Sequence, residues 1–159
     1  MKAIVAVDRS WAIGYEGEQL CYIPEDLKRF RKLTTGHPIL LGRKTLSTFP
    51  AGRPLKNRRN LILSAHLDYS VENAEVYHSL EAALAAAPED TFVIGGESVY
   101  RQTLEQCDTV YVTKINQWFE ADRYFPNLDE SPEWEVTEEE GPYTFEELEY
   151  TYVTYQRKQ

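Results

Sequence analysis

An acidic residue on the apolar side of a predicted helix is the feature of this sequence that most directly suggests chemistry. Proline at the first position predicts a helix over Pro24–Thr34, which ends before a Gly-His-Pro turn. At ~100° per residue, Asp26 falls between Phe30 and Leu33 on the helical wheel. A lone carboxylate in apolar surroundings is unfavourable, so the pattern indicates that Asp26 meets a partner.

Two interpretations of Asp26 remain open at this point. Proline followed by two acids, Glu25 and Asp26, complements the dipole and the free N–H groups of a helix start. Alternatively, the carboxylate faces a pocket and binds a ligand that presents two parallel N–H donors, a directional and charge-assisted contact. In that case burial raises the pKa of the carboxyl group, which suits an acid that handles a proton near neutrality.

A basic block lies directly after this acid. Residues 28–59 contain no acid, although the chain has a formal net charge of −9. The basic residues of the block are Lys28, Arg29, Arg31, Lys32, Arg43, Lys44, Arg53, Lys56, Arg58 and Arg59. Such segregation suits a site for several negative groups of a small ligand, whereas the alternative is a solvated basic face. We interpret the four cations on the helix as such an outer face.

Three predicted strand ends carry residues that suit anions. Gly42-Arg43-Lys44-Thr45 combines a small residue, two cations and a hydroxyl at a predicted helix start. Gly95-Gly96 allows a pyrophosphate to approach the backbone, although a tight turn explains two glycines equally well. Ser64, with His66 nearby, ends a third strand. Ligands gather at the carboxyl ends of strands in α/β sheets, so the three together favour a dinucleotide.

The elements that must position these residues follow from apolar patterning. Short apolar runs predict strands at residues 3–7, 39–41, 61–63, 75–77, 91–94 and 109–115, and residues 133–157 predict two antiparallel strands. Helices are predicted at Pro24–Thr34, 45–48, 80–87 and 97–106, with a loop at 8–22 and a turn at 49–54. This order predicts an α/β fold: a central, mostly parallel sheet with an antiparallel C-terminal edge and helices on both faces.

Composition narrows the class of protein. A length of 159 residues, with 27% charged and 13% aromatic residues, predicts one globular domain over residues 1–159. Net charge argues against nucleic acid, and the absence of a long apolar run or a signal-like start predicts a cytoplasmic protein without membrane contact. Cys21 and Cys107 are expected to be free thiols, and the three histidines form no metal-ligand pattern. We expect a monomer and no metal.

Motifs along nearly the whole chain resemble, in order and spacing, those of dihydrofolate reductase. They are Ala6, Ile13-Gly14, Ile23-Pro24-Glu25-Asp26-Leu27-Lys28-Arg29-Phe30, Gly42-Arg43-Lys44-Thr45, Gly52-Arg53-Pro54-Leu55, Arg58, Val93-Ile94-Gly95-Gly96, Val99-Tyr100, Thr113, Asp122 and Phe125-Pro126. The resemblance implies reduction of 7,8-dihydrofolate to tetrahydrofolate with NADPH as cofactor, and binding of antifolate inhibitors. It also implies a cis bond between the paired glycines and a mobile loop at residues 9–22.

The same resemblance assigns roles to residues. Asp26 and Thr113 are the catalytic pair, with Asp26 on the N3–H and 2-amino edge of the pterin. The other substrate-binding residues are Ile4, Val5, Leu27, Phe30, Phe49, Arg53, Leu55, Arg58 and Ile94, with Arg58 on the glutamate α-carboxylate. The cofactor-binding residues are Ala6, Ile13, Gly14, Gln19, Gly42, Arg43, Lys44, Thr45, Leu63, Ser64, His66, Ile94, Gly95, Gly96, Glu97, Ser98, Val99 and Tyr100, with Arg43 and Lys44 on the 2′-phosphate.

One departure from the family pattern concerns the residues before the helix. Many members carry Pro-Trp where this chain has Leu20-Cys21, and a thiol is a much weaker donor than an indole N–H. Two rival functions stay open: a reductase of the same fold that acts on another heterocycle, such as a riboflavin-pathway pyrimidine, and a non-catalytic nucleotide-binding module. Asp26 and Arg58 argue against the first, and Asp26 on the apolar stripe is unexplained by the second.

Overall fold

One eight-stranded sheet forms the centre of the protein in the computed structural model, which covers residues 1–159. The strands are β1 (Lys2–Val7), β2 (Ala12–Gly14), β3 (Ile39–Gly42), β4 (Asn60–Leu63), β5 (Glu75–Tyr77), β6 (Phe92–Gly95), β7 (Thr109–Ile115), β8 (Arg123–Tyr124), β9 (Trp134–Phe145) and β10 (Leu148–Arg157). The strand order is β5-β4-β3-β6-β1-β7-β10-β9, and β2 pairs with β8 in a separate ribbon. All pairings from β5 to β7 are parallel, whereas β10 is antiparallel to both β7 and β9.

Helices cover both faces of this sheet. They are α1 (Pro24–Thr34), α2 (Arg43–Leu46), α3 (Leu80–Ala86) and α4 (Glu97–Thr103), with 3-10 turns at Pro50–Gly52, Leu104–Gln106 and Leu128–Glu130. Alternate strand residues enter different cores: Ala83 of α3 and Val99 of α4 share a cluster with Val5, while Phe30 of α1 packs against the cluster that contains Ile4. The predicted fold class is therefore confirmed, because the buried runs of the parallel strands need cover on each side.

Several predicted boundaries were wrong, each at a short element. The helix expected at 45–48 is α2, which begins at Arg43 directly after β3. The loop expected at 8–22 contains β2, whose partner β8 is distant in sequence. The helix expected at 97–106 is α-helical only to Thr103 and continues as a 3-10 turn over Leu104–Gln106. Short elements depend on tertiary pairing more than on local pattern.

The start of α1 places two carboxylates in its first turn. Pro24 is the first helical residue, Ile23 before it is extended, and no side chain caps the helix. The helix carries acids in its first turn and bases in its last, as the dipole favours.

No helix in this protein is long and apolar enough to span a bilayer.

Candidate active site

Asp26 lies where α1 packs against β7, and it has a single protein hydrogen-bond donor. Thr113 Oγ1 donates a 2.6 Å hydrogen bond to Asp26 Oδ1. Thr113 is only 2% exposed and pairs with Ala6 of β1 and Tyr152 of β10, so its side chain is fixed by the centre of the sheet. Asp26 Oδ2 makes no hydrogen bond to the protein, which leaves one carboxylate oxygen for a ligand donor.

Burial controls the electrostatics of this carboxylate. Burial raises the pKa of Asp26, while the Thr113 hydrogen bond and the charge of Arg29 oppose that rise. The side chain occupies the first turn of α1, as the helix-dipole interpretation requires, and it also reaches a partner on the sheet. The helix-dipole interpretation therefore holds for its position, and the bond to Thr113 shows in addition that the carboxylate faces the sheet.

An apolar wall adjoins this carboxylate. The residues expected to line the substrate cleft share one cluster on the α1 face of the sheet: Ile4, Phe30, Phe49, Leu55 and Ile94. Leu27 is half-buried on α1. Val5 differs, because its side chain belongs to the cluster on the opposite face. Any contact of Val5 with a substrate in this cleft must therefore come from its backbone.

Cations lie at the far end of the cleft. Arg58 donates from Nη1 to Thr34 Oγ1 at 3.0 Å and from Nε to the Lys56 carbonyl at 2.9 Å, which holds it against the end of α1. Burial, and then the like charge of Arg31, lower the pKa of Arg58. Arg53 is exposed. A half-buried guanidinium beside another cation is suited to an anionic ligand group.

The three predicted anion sites meet at one edge of the sheet. Strands β4, β3 and β6 are adjacent and parallel, so Ser64, Gly42 and Gly95 lie at neighbouring carboxyl ends. Arg43 Nη2 lies 3.2 Å from His66 Nε2, and Ser64 Oγ accepts a 3.2 Å hydrogen bond from the His66 N–H. These groups therefore form one compact polar site.

Glycine at the end of β6 leaves room beside α2. A Cβ on Gly95 or Gly96 would lie 3.4 or 3.3 Å from Thr45 Oγ1, and the bond between the two glycines is cis. Tyr100 of α4 donates a 2.6 Å hydrogen bond to the Ile4 carbonyl, which fixes the helix after the Gly95-Gly96 turn against β1. Of the other predicted cofactor residues on the neighbouring elements, Lys44 and Ser98 are exposed, Leu63 is half-buried and Val99 is buried.

The segment at residues 9–22 is hydrogen-bonded to the loop that contains Glu120 and Asp122. The Asp122 N–H donates to the Gly14 carbonyl at 3.0 Å, and the Glu16 N–H donates to Asp122 Oδ2 at 3.1 Å. Tyr15 Oη adds a 3.0 Å bond to Glu120 Oε1, which sequence reasoning missed. Of the predicted cofactor residues here, Ile13 is half-buried and Gln19 is exposed.

Glu97 and Cys21 have more specific surroundings than the sequence indicated. Glu97 Oε1 accepts a 2.6 Å hydrogen bond from the Tyr124 N–H, so its carboxylate links α4 to β8.

Cys21 is half-buried and packs against a cluster formed by Ile23, Ile115, Tyr150 and Tyr152. Burial, with a smaller effect of the Asp26 charge, raises the pKa of Cys21 to about 11, so the thiol is protonated at neutral pH.

The interpretation of Arg29 as part of an outer basic face was wrong. Its guanidinium carbon lies 4.1 Å from the ring centroid of Tyr152 and 5.8 Å from that of Tyr111. The helical wheel contained a signal, because Arg29 falls about 40° from Leu33 at ~100° per residue. The sequence carried no signal for its two aromatic partners, because the pattern of residues does not reveal strand register.

Known proteins of one family match nearly the whole chain. A family model described as dihydrofolate reductase matches residues 1–157. Dihydrofolate reductase of Bacillus subtilis (strain 168) is 38% identical over 156 residues, with 92% of this chain and 91% of the relative covered. A dihydrofolate reductase of Staphylococcus aureus is 34% identical over 149 residues, with 94% and 82% covered. The solved structure of Enterococcus faecalis dihydrofolate reductase complexed with NADP(H) and RAB-propyl has a TM-score of 0.85 and 36% identity, with 99% of this chain and 96% of that chain covered.

Proposed function

The chain belongs to the dihydrofolate reductase family, and on that premise we propose that Asp26 and Thr113 hold the pterin ring of the substrate for reduction. The activity is the NADPH-dependent reduction of 7,8-dihydrofolate to 5,6,7,8-tetrahydrofolate. The observation that carries the residue assignment is the 2.6 Å hydrogen bond from Thr113 to Asp26. This bond uses one acceptor site of Oδ1 and leaves Oδ2 and the other site of Oδ1, so both oxygens can accept from the two-donor edge of the pterin.

The anion site at the sheet edge fits NADPH. Arg43, His66 and Ser64 form a polar group suited to the adenosine 2′-phosphate, and the Gly95-Gly96 backbone leaves space for the pyrophosphate. When bound, the cofactor supplies the hydride that reduces C6 of the pterin. The residues of the chain position the two rings and exclude water, which is the main contribution of a protein to such a reaction.

Protonation of N5 completes the reduction, since the C6=N5 bond takes up one hydride and one proton. Asp26 faces the opposite edge of the pterin from N5, so we assign the immediate proton delivery to a water molecule. The negative charge of Asp26 makes N5 more basic through electrostatic attraction of the incoming proton. At the other end of the cleft, Arg58 binds the glutamate α-carboxylate, with Arg53 nearby.

The remaining assignments are proposals of the same kind. The central sheet joins strands from both ends of the chain, β1 and β10, through β7, which supports a single domain over residues 1–159. A monomer accords with a site whose proposed residues all come from one chain. Free thiols at Cys21 and Cys107 accord with the cytoplasm. Light scattering of the purified protein tests the monomer.

Asp26→Asn tests the assignment of the carboxylate. The variant keeps the shape but removes the charge, so we expect turnover of dihydrofolate with NADPH at neutral pH to fall by ~10²-fold or more. The residual rate should rise as pH falls, because N5 then takes its proton from solvent without the electrostatic effect of the Asp26 charge. The measurement is loss of NADPH absorbance on addition of dihydrofolate, with a methotrexate titration of the active fraction.

Glu25→Gln is the matched control, because Glu25 is the neighbouring acid and pairs with exposed Lys28 at 3.1 Å. It should retain near-normal turnover. Near-normal turnover of Asp26→Asn at neutral pH would contradict the assignment. If the wild-type chain reduces a riboflavin-pathway pyrimidine and leaves dihydrofolate unchanged, the substrate itself is wrong.

A further inference from the structure

Arg29 is a cation enclosed by aromatic rings one helical turn from Asp26. Its guanidinium lies over the face of Tyr152, at 4.1 Å from the centroid, with the ring of Tyr111 at 5.8 Å. Its Nη1 atom is buried and has no hydrogen-bond partner. Aromatic faces stabilise a desolvated guanidinium, so the rings account for its position without an anion.

The charge of Arg29 is not neutralised by a direct ion pair. No carboxylate oxygen lies within 4.0 Å of it, whereas its neighbour Lys28 pairs with Glu25. Glu138 and Glu140 of β9 lie on its side of the sheet, since they pair with Thr154 and Tyr152, and they line a cavity of about 420 Å³ together with Arg29. These carboxylates are exposed, so water screens them more than it screens the enclosed guanidinium.

Two acids, Glu25 and Asp26, lie one turn before Arg29 on α1; Glu25 is exposed and pairs with Lys28, whereas Asp26 is half-buried and bonds to Thr113. Residues three apart on a helix have Cβ atoms about 5–6 Å apart. Tyr152, which supports the guanidinium, lies opposite Thr113 across the β7–β10 pairing, and Thr113 donates to Asp26. Arg29, Tyr152, Thr113 and Asp26 are therefore neighbours in turn, and the positive charge of Arg29 lies one helical turn from the carboxylate.

We propose that Arg29 is a positioning residue that acts through Asp26, holding it ionised in its half-buried site and thereby setting the pH range of dihydrofolate reduction. This inference rests on the proposed function of Asp26. The titratable and charged groups around the pair are Glu25 of α1, Cys21 before α1, Tyr111 of β7, Tyr152 of β10, and Glu138 and Glu140 of β9. The acids of this set are three glutamates, all of them exposed, so water screens their charges.

The sign of the effect follows from Coulomb attraction. A nearby cation favours the ionised carboxylate, so removing it raises the pKa of Asp26. The same cation disfavours a proton on N5 of the bound pterin, so its removal also makes N5 easier to protonate. Both effects move the pH–rate profile in one direction, towards higher pH.

Arg29→Met and Arg29→Lys separate charge from packing. The Asp26 pKa is measured in the free protein by ¹³C NMR of the carboxyl groups, and the pH profile of hydride transfer is measured in single turnovers. Arg29→Met should raise the Asp26 pKa and move the profile up by about half a unit or more. Arg29→Lys, which keeps the charge, should move both by less than half as much. Lys28→Met removes an equal charge from the exposed side of the helix and should leave both unchanged.

Equal shifts in Arg29→Met and Arg29→Lys, or none beyond that of Lys28→Met, would overturn the inference. If Arg29→Met does not fold, Arg29→Gln replaces it as the neutral variant. The NMR measurement requires no activity, so it tests Arg29 even if the wild-type chain fails to reduce dihydrofolate. That failure would refute the proposed function instead.

Discussion

Replacing Thr113 with Val removes the only protein hydrogen bond of the Asp26 carboxylate while keeping the shape of a buried side chain. A hydrogen bond to a charged group contributes ~1.5–3 kcal/mol, against ~0.5–1.5 kcal/mol for one between neutral groups. At neutral pH, Thr113→Val should therefore lower the free energy of unfolding by ~1.5–3 kcal/mol. Once Asp26 is protonated, the decrease in unfolding free energy caused by Thr113→Val should be smaller by ~1 kcal/mol or more, approaching that for a hydrogen bond between neutral groups.

The sign of the pH dependence follows from proton binding. Burial already raises the pKa of folded Asp26 above its unfolded value, so the native state binds more protons in the window between the two. Stability from this group is therefore lost as pH rises through that window. Because the Thr113 hydroxyl favours the ionised form, its removal raises the folded pKa further and extends the window to higher pH. The extra instability of the variant should grow from acid towards neutral pH.

Urea unfolding at several values between about pH 5 and about pH 8 measures this difference. Thr103→Val is the matched control, because Thr103 is fully buried and its Oγ1 donates a 2.7 Å bond to the neutral Val99 carbonyl. Its loss of stability should not depend on pH. If Thr113→Val loses the same free energy at every pH, the hydroxyl does not serve the ionised carboxylate, and the reasoning from this bond is wrong.

Two further predictions concern the ends of the site. Arg43→Gln should raise the KM for NADPH by about tenfold or more, because it removes a charge-assisted contact with the 2′-phosphate, and should leave the KM for NADH unchanged. Lys56→Gln, an exposed cation of the same basic block, is its control, and equal effects on both cofactors would refute the assignment. Cys21→Trp should leave turnover within about tenfold of wild type, about 1.4 kcal/mol of barrier, because Asp26 and Thr113 are untouched. A total loss would show that the pocket is built around the smaller residue.

The family motifs in the sequence identified the chemistry because they are local. Gly42-Arg43-Lys44-Thr45 and Gly95-Gly96 place small and charged residues at strand ends, and the apolar runs before them predict strands buried on both faces. Since parallel strands align their carboxyl ends, the fold class predicted that the anion sites lie at the same end of the sheet, but not the strand order that makes them neighbours. The structure confirms that these ends are neighbours and brings His66 to 3.2 Å from Arg43.

The errors arose where a residue's environment comes from a distant segment. β2 has only three residues, and it is a strand because Arg123 and Tyr124 pair with it. α2 begins two residues before the prediction because the chain turns helical as soon as β3 ends. Such short elements carry too little local pattern to be identified, and their limits are set by the partner.

Sequence periodicity by itself determined that Asp26 lies on the apolar side of α1, because residues on one helical face recur at a fixed spacing along the chain. It could not decide what that face meets. Only the tertiary structure brings Thr113 within 2.6 Å of the carboxylate and lays the ring of Tyr152 against Arg29. The reason is strand register: the β7–β10 pairing sets Tyr152 opposite Thr113, and a slip of β10 by one residue would turn the ring of Tyr152 to the other face of the sheet.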